Sequence, residues 1–320
     1  MYGKPESSDS MKRLKPLRRF RLTFWFFSCL QLPLYATSAD LPLEHAAPGG
    51  IVIVPINAGN AQTHDAQKDE VEPLVHFYGN RVMVVRSSGT TPGWLAVVGI
   101  ARSAKPGTHS IDIQWRTPAG LNKKKTSKQP FEVQNKSYPE QHIEIKNKRL
   151  VNPEKRDMSR ISQEYREMKR AFVHWSPAGK DALKMDWPVR GPISSPFGLT
   201  RFFNQQPRLP HSGIDIAATE GTPVKAPKSG RVVATGHYFF NGNTVILDHG
   251  QGLVSMFCHL ERIDVGVTQV IKRAEQLGTV GQTGRATGPH LHWSLNLNNV
   301  RIDPMLFLSD TLQLIEQPTR

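Results

Sequence analysis

Two short stretches, far apart in the chain, constrain its fold more than anything else in it, because together they read as one zinc site. The first is Pro210, His211, Ser212, Gly213, Ile214 and Asp215, and the second is Gly288, Pro289, His290, Leu291, His292 and Trp293. Zinc binds imidazole nitrogen and carboxylate oxygen, and a catalytic site keeps three protein ligands with one position left for water. His211, Asp215 and His292 can supply that set. His290 and His292 stand two apart, so on a β-strand they point to the same face. One can bind metal while the other faces the reacting group beside it. A His and an Asp four apart arise often by chance, and a surface His-x-His pair is common. The two halves together, with their glycines and prolines, carry the reading.

The rest of the chain is punctuated for β structure. Ile51 to Val54 form an apolar run after Gly49 and Gly50, and Leu74 to Phe77 lead through Tyr78, Gly79 and Asn80 into Arg81 to Val85, a hairpin signal. Trp94 to Ile100 and His109 to Trp115 continue the pattern, which suggests a small immunoglobulin-like sandwich. His45, His64, His76 and His109 are scattered through it and form no constellation. Asn122 to Lys128 reads as a basic, solvated loop, and Tyr138 to Lys146 as a strand. A helix then follows, with Asn152 as N-cap and Pro153 in the first position. Its apolar face would be Met158, Ile161, Tyr165, Met168, Phe172 and Trp175, which recur every three or four residues. From Trp187 the chain is β again, with Arg201 to Leu209 as a polar loop and strands over 230–235, 244–248 and 253–259.

A basic run from Lys12 to Arg21, an apolar stretch from Leu22 to Leu34 and small residues up to Ala39 have the order of a secretory signal peptide. The apolar stretch is shorter than the roughly 20 residues a spanning helix needs, so an inner-membrane anchor is the second choice. The formal net charge of +14 falls to +9 once residues 1–39 are removed. A basic protein is drawn to anionic polymers; with an export signal, cell-wall material fits better than nucleic acid. After cleavage only Cys258 would remain, so no intramolecular disulfide is expected.

The two motifs, with Gly221, Thr222, Pro223, Val224, Lys225, Ala226 and Pro227 after the first and Gly281, Gln282, Thr283 and Gly284 before the second, resemble the lysostaphin-like (LytM-type) zinc metallopeptidases. The resemblance covers residues 186–308. It implies a mainly β chain: an antiparallel β catalytic domain with a groove, preceded by the small sandwich and the linking helix. It implies Zn2+ as cofactor, His211, Asp215 and His292 as metal ligands, and His259 and His290 as the two catalytic histidines. Gly284 and Gly288 would allow sharp turns near the metal. The implied activity is hydrolysis of peptide bonds in peptidoglycan stem peptides or cross-bridges, in the periplasm or outside the cell. The partner expected is peptidoglycan, with transient membrane or envelope-protein contact and no nucleic acid. The expected parts are a signal peptide (1–39), an amino-terminal β domain (40–135), a linker with the helix (136–185) and the catalytic domain (186–320). The second reading is a non-catalytic wall-binding or activator protein on the same fold. Two departures stand out: Phe257 where the family often has Tyr, and Cys258 beside His259, whose thiol should point to the opposite strand face. His237 and His249 are rival metal ligands on composition alone.

Overall fold

The computed structural model describes residues 35–36, 41–56, 72–87, 93–115, 125–179 and 181–309. The expected signal peptide (apart from Tyr35–Ala36), Cys29, His64, Lys123 and Lys124 lie outside the described residues. The chain is mainly β, with mostly antiparallel sheets. Among the described residues, no helix is long and apolar enough to cross a membrane.

The amino-terminal part is a sandwich of two four-stranded sheets. One joins Tyr35–Ala36, Met83–Ser87, Gly93–Gly99 and Ile51–Ile56; the other joins Asn80–Arg81, Leu74–Phe77, Gly107–Trp115 and Lys125–Val133. Alternate side chains fill the space between them, with Val52, Val54, Val84, Trp94, Ala96 and Val98 from the first sheet meeting Val75, Phe77, Ile111 and Ile113 from the second. The other alternate set of the first sheet, Ile51, Met83, Val85 and Val97, is buried as well, in the cluster that holds Phe257, Leu291 and Trp293 of the carboxy-terminal part. This explains why the stretches 51–54, 82–85 and 95–98 are apolar throughout instead of alternating: both faces of the sheet are covered. Each such side chain contributes about 1.5–3 kcal/mol by leaving water. Polar contacts fix the register of the junction. The Val84 amide donates to Gln251 Oε1 (2.8 Å), and Asn298 exchanges two hydrogen bonds with the Gly99 backbone (2.6 and 3.0 Å).

Two expectations for this region are corrected. The hairpin at Tyr78-Gly79 is only a few residues long, because Asn80–Arg81 stops at Val82 and Met83–Ser87 crosses to pair with Gly93–Gly99 in the other sheet. The stretch 125–128 is not loop but the start of a nine-residue strand paired with Gly107–Trp115.

The carboxy-terminal part is built on a larger sheet in the order Ile193–Ser195, Ile214–Ala217, His290–Leu297, Val254–Ile263, Gly242–Asp248, Gly230–Tyr238, Val270–Ile271. Its two faces differ in chemistry. Ile214, Ile216, Leu291, Trp293, Leu295 and Phe257 pack into the main core. Asp215, His292, Ser294, Asn296, Met256 and Cys258 alternate with them and so lie on the opposite face. The helix, Met158–Phe172, packs Ala171 and Phe172 on that second face, against Val254, Met256 and Cys258. It therefore belongs to the carboxy-terminal part and covers one end of the face whose other end carries Asp215 and His292.

The helix starts later than Asn152. Glu154 and Asp157 close a reciprocal capping box around a short 3-10 turn, and Arg149 forms a two-pronged ion pair with Asp157. The helix proper begins after that turn, at Met158. Its apolar stripe is also less covered than its periodicity suggests, since Met158 and Tyr165 are 50% and 62% exposed. Upstream, Glu140–Ile143 does form a strand, but it pairs in parallel with Thr200–Phe203, and Gln206–Pro207 completes a three-stranded sheet. The supposed polar loop before His211 is thus largely a hairpin.

Candidate metal centre

Three neighbouring strands set the site. Asp215 and His292 face each other directly across the pairing of Ile214–Ala217 with His290–Leu297, and Ala217 faces His290 one step along. Directly opposed residues hold their Cβ atoms about 4.5–5.5 Å apart, close enough for both side chains to reach one point. His211 joins from the chain just ahead, where its backbone exchanges hydrogen bonds with Gly198 and Leu199. The result is a tight, buried triangle: His211 Nε2 to Asp215 Oδ1 3.0 Å, His211 Nε2 to His292 Nδ1 3.0 Å, and His292 Nδ1 to Asp215 Oδ1 2.7 Å. Among the described residues these three form the one group able to hold a metal ion.

The hydrogen bonds around the triangle decide which nitrogens are free. His211 Nδ1 is bound to Pro196 O (2.8 Å), His259 Nδ1 to Thr283 O (2.8 Å) and His290 Nδ1 to Gly288 O (2.8 Å). A backbone carbonyl only accepts, so each Nδ1 carries the proton and each Nε2 keeps its lone pair. At His211 that lone pair points at a carboxylate oxygen, another acceptor. Two acceptors converging on one point call for a cation between them. The ring of His259 lies 4.8 Å from that of His290 and 6.1 Å from that of His292. His290 Nε2 stands 3.9 Å from Asp215 Oδ1. The structure therefore brings all five residues together.

Electrostatics keep the donors ready. Burial alone would raise the Asp215 carboxyl, but the imidazoles of His211 and His292 packed against it hold it well below the usual carboxylate range. Burial lowers His292 to about 4, against the pull of Asp215, and lowers His259 to about 3 with help from His290 and His292. Both rings are neutral near pH 7.

His259 also sits on strained backbone. Its φ is +62°, uncommon for a residue with a side chain, and such outliers cluster at functional sites. The conformation is held from two loops: the His259 amide donates to Asn241 O (2.9 Å), while Thr283 O holds the ring. Those loops meet at two glycines, Gly242 and Gly284, both at positive φ, and a Cβ on Gly284 would lie 2.4 Å from the Gly242 nitrogen. Gly284 thus makes the sharp turn expected of it, but it clears the Phe240–Gly242 loop that holds His259 and not the approach of His290 to the metal. Gly288 clears no neighbour: nothing lies within 4 Å of where its Cβ would be.

The rival residues lie elsewhere. His237 bonds Asn243 on the surface (2.9 Å), and His249 is a satisfied core histidine between Ser229 O (2.9 Å) and Ser255 Oγ (2.8 Å). Cys258 is buried on the helix side with its thiol pushed up to about 11 by burial. Sequence reasoning missed the groups that support the triangle. Arg201 Nη2 donates to Asp215 Oδ2 (2.8 Å) and Ser195 Oγ (2.9 Å), and Gln141 Oε1 accepts from Arg201 Nε (3.0 Å) and Ser195 Oγ (3.2 Å). Asp215 is left with Oδ1 alone facing the two histidines.

A mainly antiparallel β fold carrying a His–Asp–His donor set, with two further histidines beside it, defines a metallopeptidase of the β-sheet type. This chain belongs to peptidase family M23. It matches Peptidase family M23 over residues 209–304, a span with all five histidine and aspartate positions, and the Peptidase family M23 N-terminal domain over 44–136. A crystal structure from Pseudomonas aeruginosa, described as a peptidase M23, is 39% identical, with a TM-score of 0.66 over 83% of this chain and 96% of that one. DD-carboxypeptidase/endopeptidase Mpg of Neisseria meningitidis is 36% identical over 128 residues, 39% of this chain and 29% of that protein. Peptidoglycan DD-endopeptidase ShyA of Vibrio cholerae is 38% identical over 114 residues, 35% of this chain and 26% of that protein. The match thus spans less than a third of the length of either curated relative.

Proposed function

We propose that this chain is a zinc metalloendopeptidase that hydrolyses peptide bonds of bacterial peptidoglycan, in stem peptides or cross-bridges, after export from the cytoplasm. The observation that carries the reading is the convergence of the His211–Asp215–His292 triangle with the free Nε2 atoms of His259 and His290. The donor set suits zinc. Bonds of about 2.0–2.1 Å in a tetrahedral site place donors roughly 3.3 Å apart, and the triangle measures 2.7–3.0 Å. Two imidazoles and one carboxylate are borderline-soft and hard donors of the kind zinc takes, and three leave a position open.

Bound there, zinc supplies Lewis acidity and a water acidified to a pKa of about 7. The chain's own residues do the rest. His259 and His290 present Nε2 to the reacting amide, where a neutral imidazole takes a proton and the protonated ring gives it up or hydrogen-bonds the developing oxyanion. Arg201 holds the outer oxygen of Asp215. The non-catalytic alternative gains nothing from this geometry, since a wall-binding role needs none of the five residues converged. Residues 40–135 would position the catalytic part at 186–320, joined through 136–185, and residues 1–39 would direct export, their removal taking the two-residue edge strand Tyr35–Ala36 with them.

The test is to assay bound zinc together with release of peptides from purified wall sacculi. Zinc-replete protein that releases none, with sacculi of several peptide chemistries, overturns the hydrolase reading. Amino-terminal sequencing of protein from its native envelope checks export, and a retained Met1 overturns cleavage near Ala39.

A further inference from the structure

Arg285 is a half-buried cation for which the described residues provide no anion. Its guanidinium lies between the rings of Phe203 and Phe240, 4.6 Å from each centroid, and its one side-chain hydrogen bond is a long 3.3 Å contact to Leu150 O. Arg208, nearby, is occupied by neutral acceptors, among them Val151 O (3.0 Å) and Gln206 Oε1 (2.6 Å). Of the three arginines here, only Arg201 meets a carboxylate, and that carboxylate is Asp215. Burial, then the like charges of Arg201 and Arg208, lower Arg285 to about 10, and it stays cationic near pH 7.

Its position ties this charge to the site. Phe203 stands two residues from Arg201 on the same strand, so the two side chains share a face. Phe240 precedes Asn241, whose carbonyl holds the His259 amide, and Arg285 follows by two residues Thr283, whose carbonyl holds the His259 ring. The guanidinium is therefore bracketed by the two segments that support the donor triangle and His259. A desolvated charge without a partner is costly, and rings that hold its plane leave its edge as a fork of donors, which matches a carboxylate two-pronged.

We propose that Arg285, backed by the charge of Arg208, is a specificity subsite for a free carboxylate on the substrate peptide beside the scissile bond. The proposal rests on the peptidoglycan hydrolase reading and narrows it: stem peptides with that carboxylate free are the preferred substrates, and amidated ones are poor. The competing explanation is structural, a cation–π clamp that only ties Phe203 to Phe240.

The experiment uses a synthetic cross-linked peptide carrying a free carboxylate next to the scissile bond, and the same peptide as its carboxamide. Wild-type, zinc-loaded protein should favour the carboxylate in kcat/KM by roughly ten- to a hundred-fold, the worth of a charged hydrogen bond, and the preference should shrink with added salt. Arg285→Gln should cleave both peptides at similar, low rates. It should keep its zinc and show a Tm no lower than wild type, because an unpaired buried charge is gone. Equal kcat/KM for the two peptides with wild type overturns the subsite, as does an Arg285→Gln that loses stability but keeps the preference. Calorimetry with the zinc-free protein reads the subsite without turnover. If neither peptide is cleaved but the carboxylate form binds more tightly, the subsite stands and the hydrolase reading falls; equal binding there overturns the subsite too.

Discussion

Replacing Gly284 by Ala should cost catalysis while leaving zinc in place. Gly284 has φ +72°, and an added Cβ would sit 2.4 Å from the Gly242 nitrogen and 2.7 Å from Phe240 O. The left-handed conformation alone costs about 1–2 kcal/mol with a side chain, and the overpacking adds about 1–3 kcal/mol. The total is about 2–5 kcal/mol of lost stability. Real Cβ contacts start near 3.0–3.4 Å, so the two loops must part by up to 1 Å. One of them carries Thr283 O, which fixes His259 Nδ1 at 2.8 Å; the other carries Asn241 O, which fixes the His259 amide. A misplacement of about 1 Å costs on the order of a hundred-fold in rate. His211, Asp215 and His292 lie outside both loops, so metal affinity should change little. The assay pairs zinc stoichiometry by elemental analysis with the rate of peptide release from sacculi, at a temperature where the variant is folded. A variant with wild-type rate, or one that loses zinc as fast as it loses rate, refutes this account of how His259 is held.

Three further outcomes follow from the same geometry. Asp215→Ala should be metal-poor and inactive, whereas His259→Ala and His290→Ala should keep zinc and lose about a hundred- to ten-thousand-fold in rate; a His290→Ala protein as zinc-poor as Asp215→Ala makes His290 a ligand. Arg201→Ala frees the outer oxygen of Asp215 and should weaken zinc binding about ten- to a hundred-fold, with much of the activity regained at saturating zinc; unchanged affinity in a competition titration removes Arg201 from the site. His249, His259 and His292 are lowered to about 3, 3 and 4 by burial, from 6.5 in the unfolded chain. Below pH 6.5 the unfolded zinc-free chain thus binds protons that the folded one refuses, and stability should fall with pH by up to about 1.4 kcal/mol per unit per histidine down to about pH 4; ring signals titrating near 6.5 by NMR count against it.

What could be read from the sequence follows a physical division between local and distant constraints. His290 and His292 share a face because strand side chains repeat every two residues, so that pair was legible without coordinates. Cys258 was not: alternation sets it opposite His259 and away from the metal, yet it pairs with His292 and shares the face of Asp215, while His259 leaves the regular alternation at φ +62°. The sandwich showed through its turns and apolar runs. The doubly covered sheet did not, because the run from Val82 to Val85 looks the same whether its second face meets another domain or the same one. The support of Asp215 was hidden for a stronger reason. Arg201 reaches its place through the parallel pairing of Thr200–Phe203 with Glu140–Ile143, which draws Gln141 in from some sixty residues upstream. Parallel pairing between such distant segments leaves no local turn signal, and an Arg opening a stretch with Asn204, Gln205, Gln206 and Arg208 reads as solvated surface. Arg285 was masked likewise: its loop is marked by Gly and Thr for its backbone, while its charge acquires meaning only from Phe203 and Phe240, supplied by two other segments. The metal donors are legible because chemistry demands rare residue types at set spacings. Residues that orient donors or choose substrates work through ordinary types whose neighbours only the fold assembles.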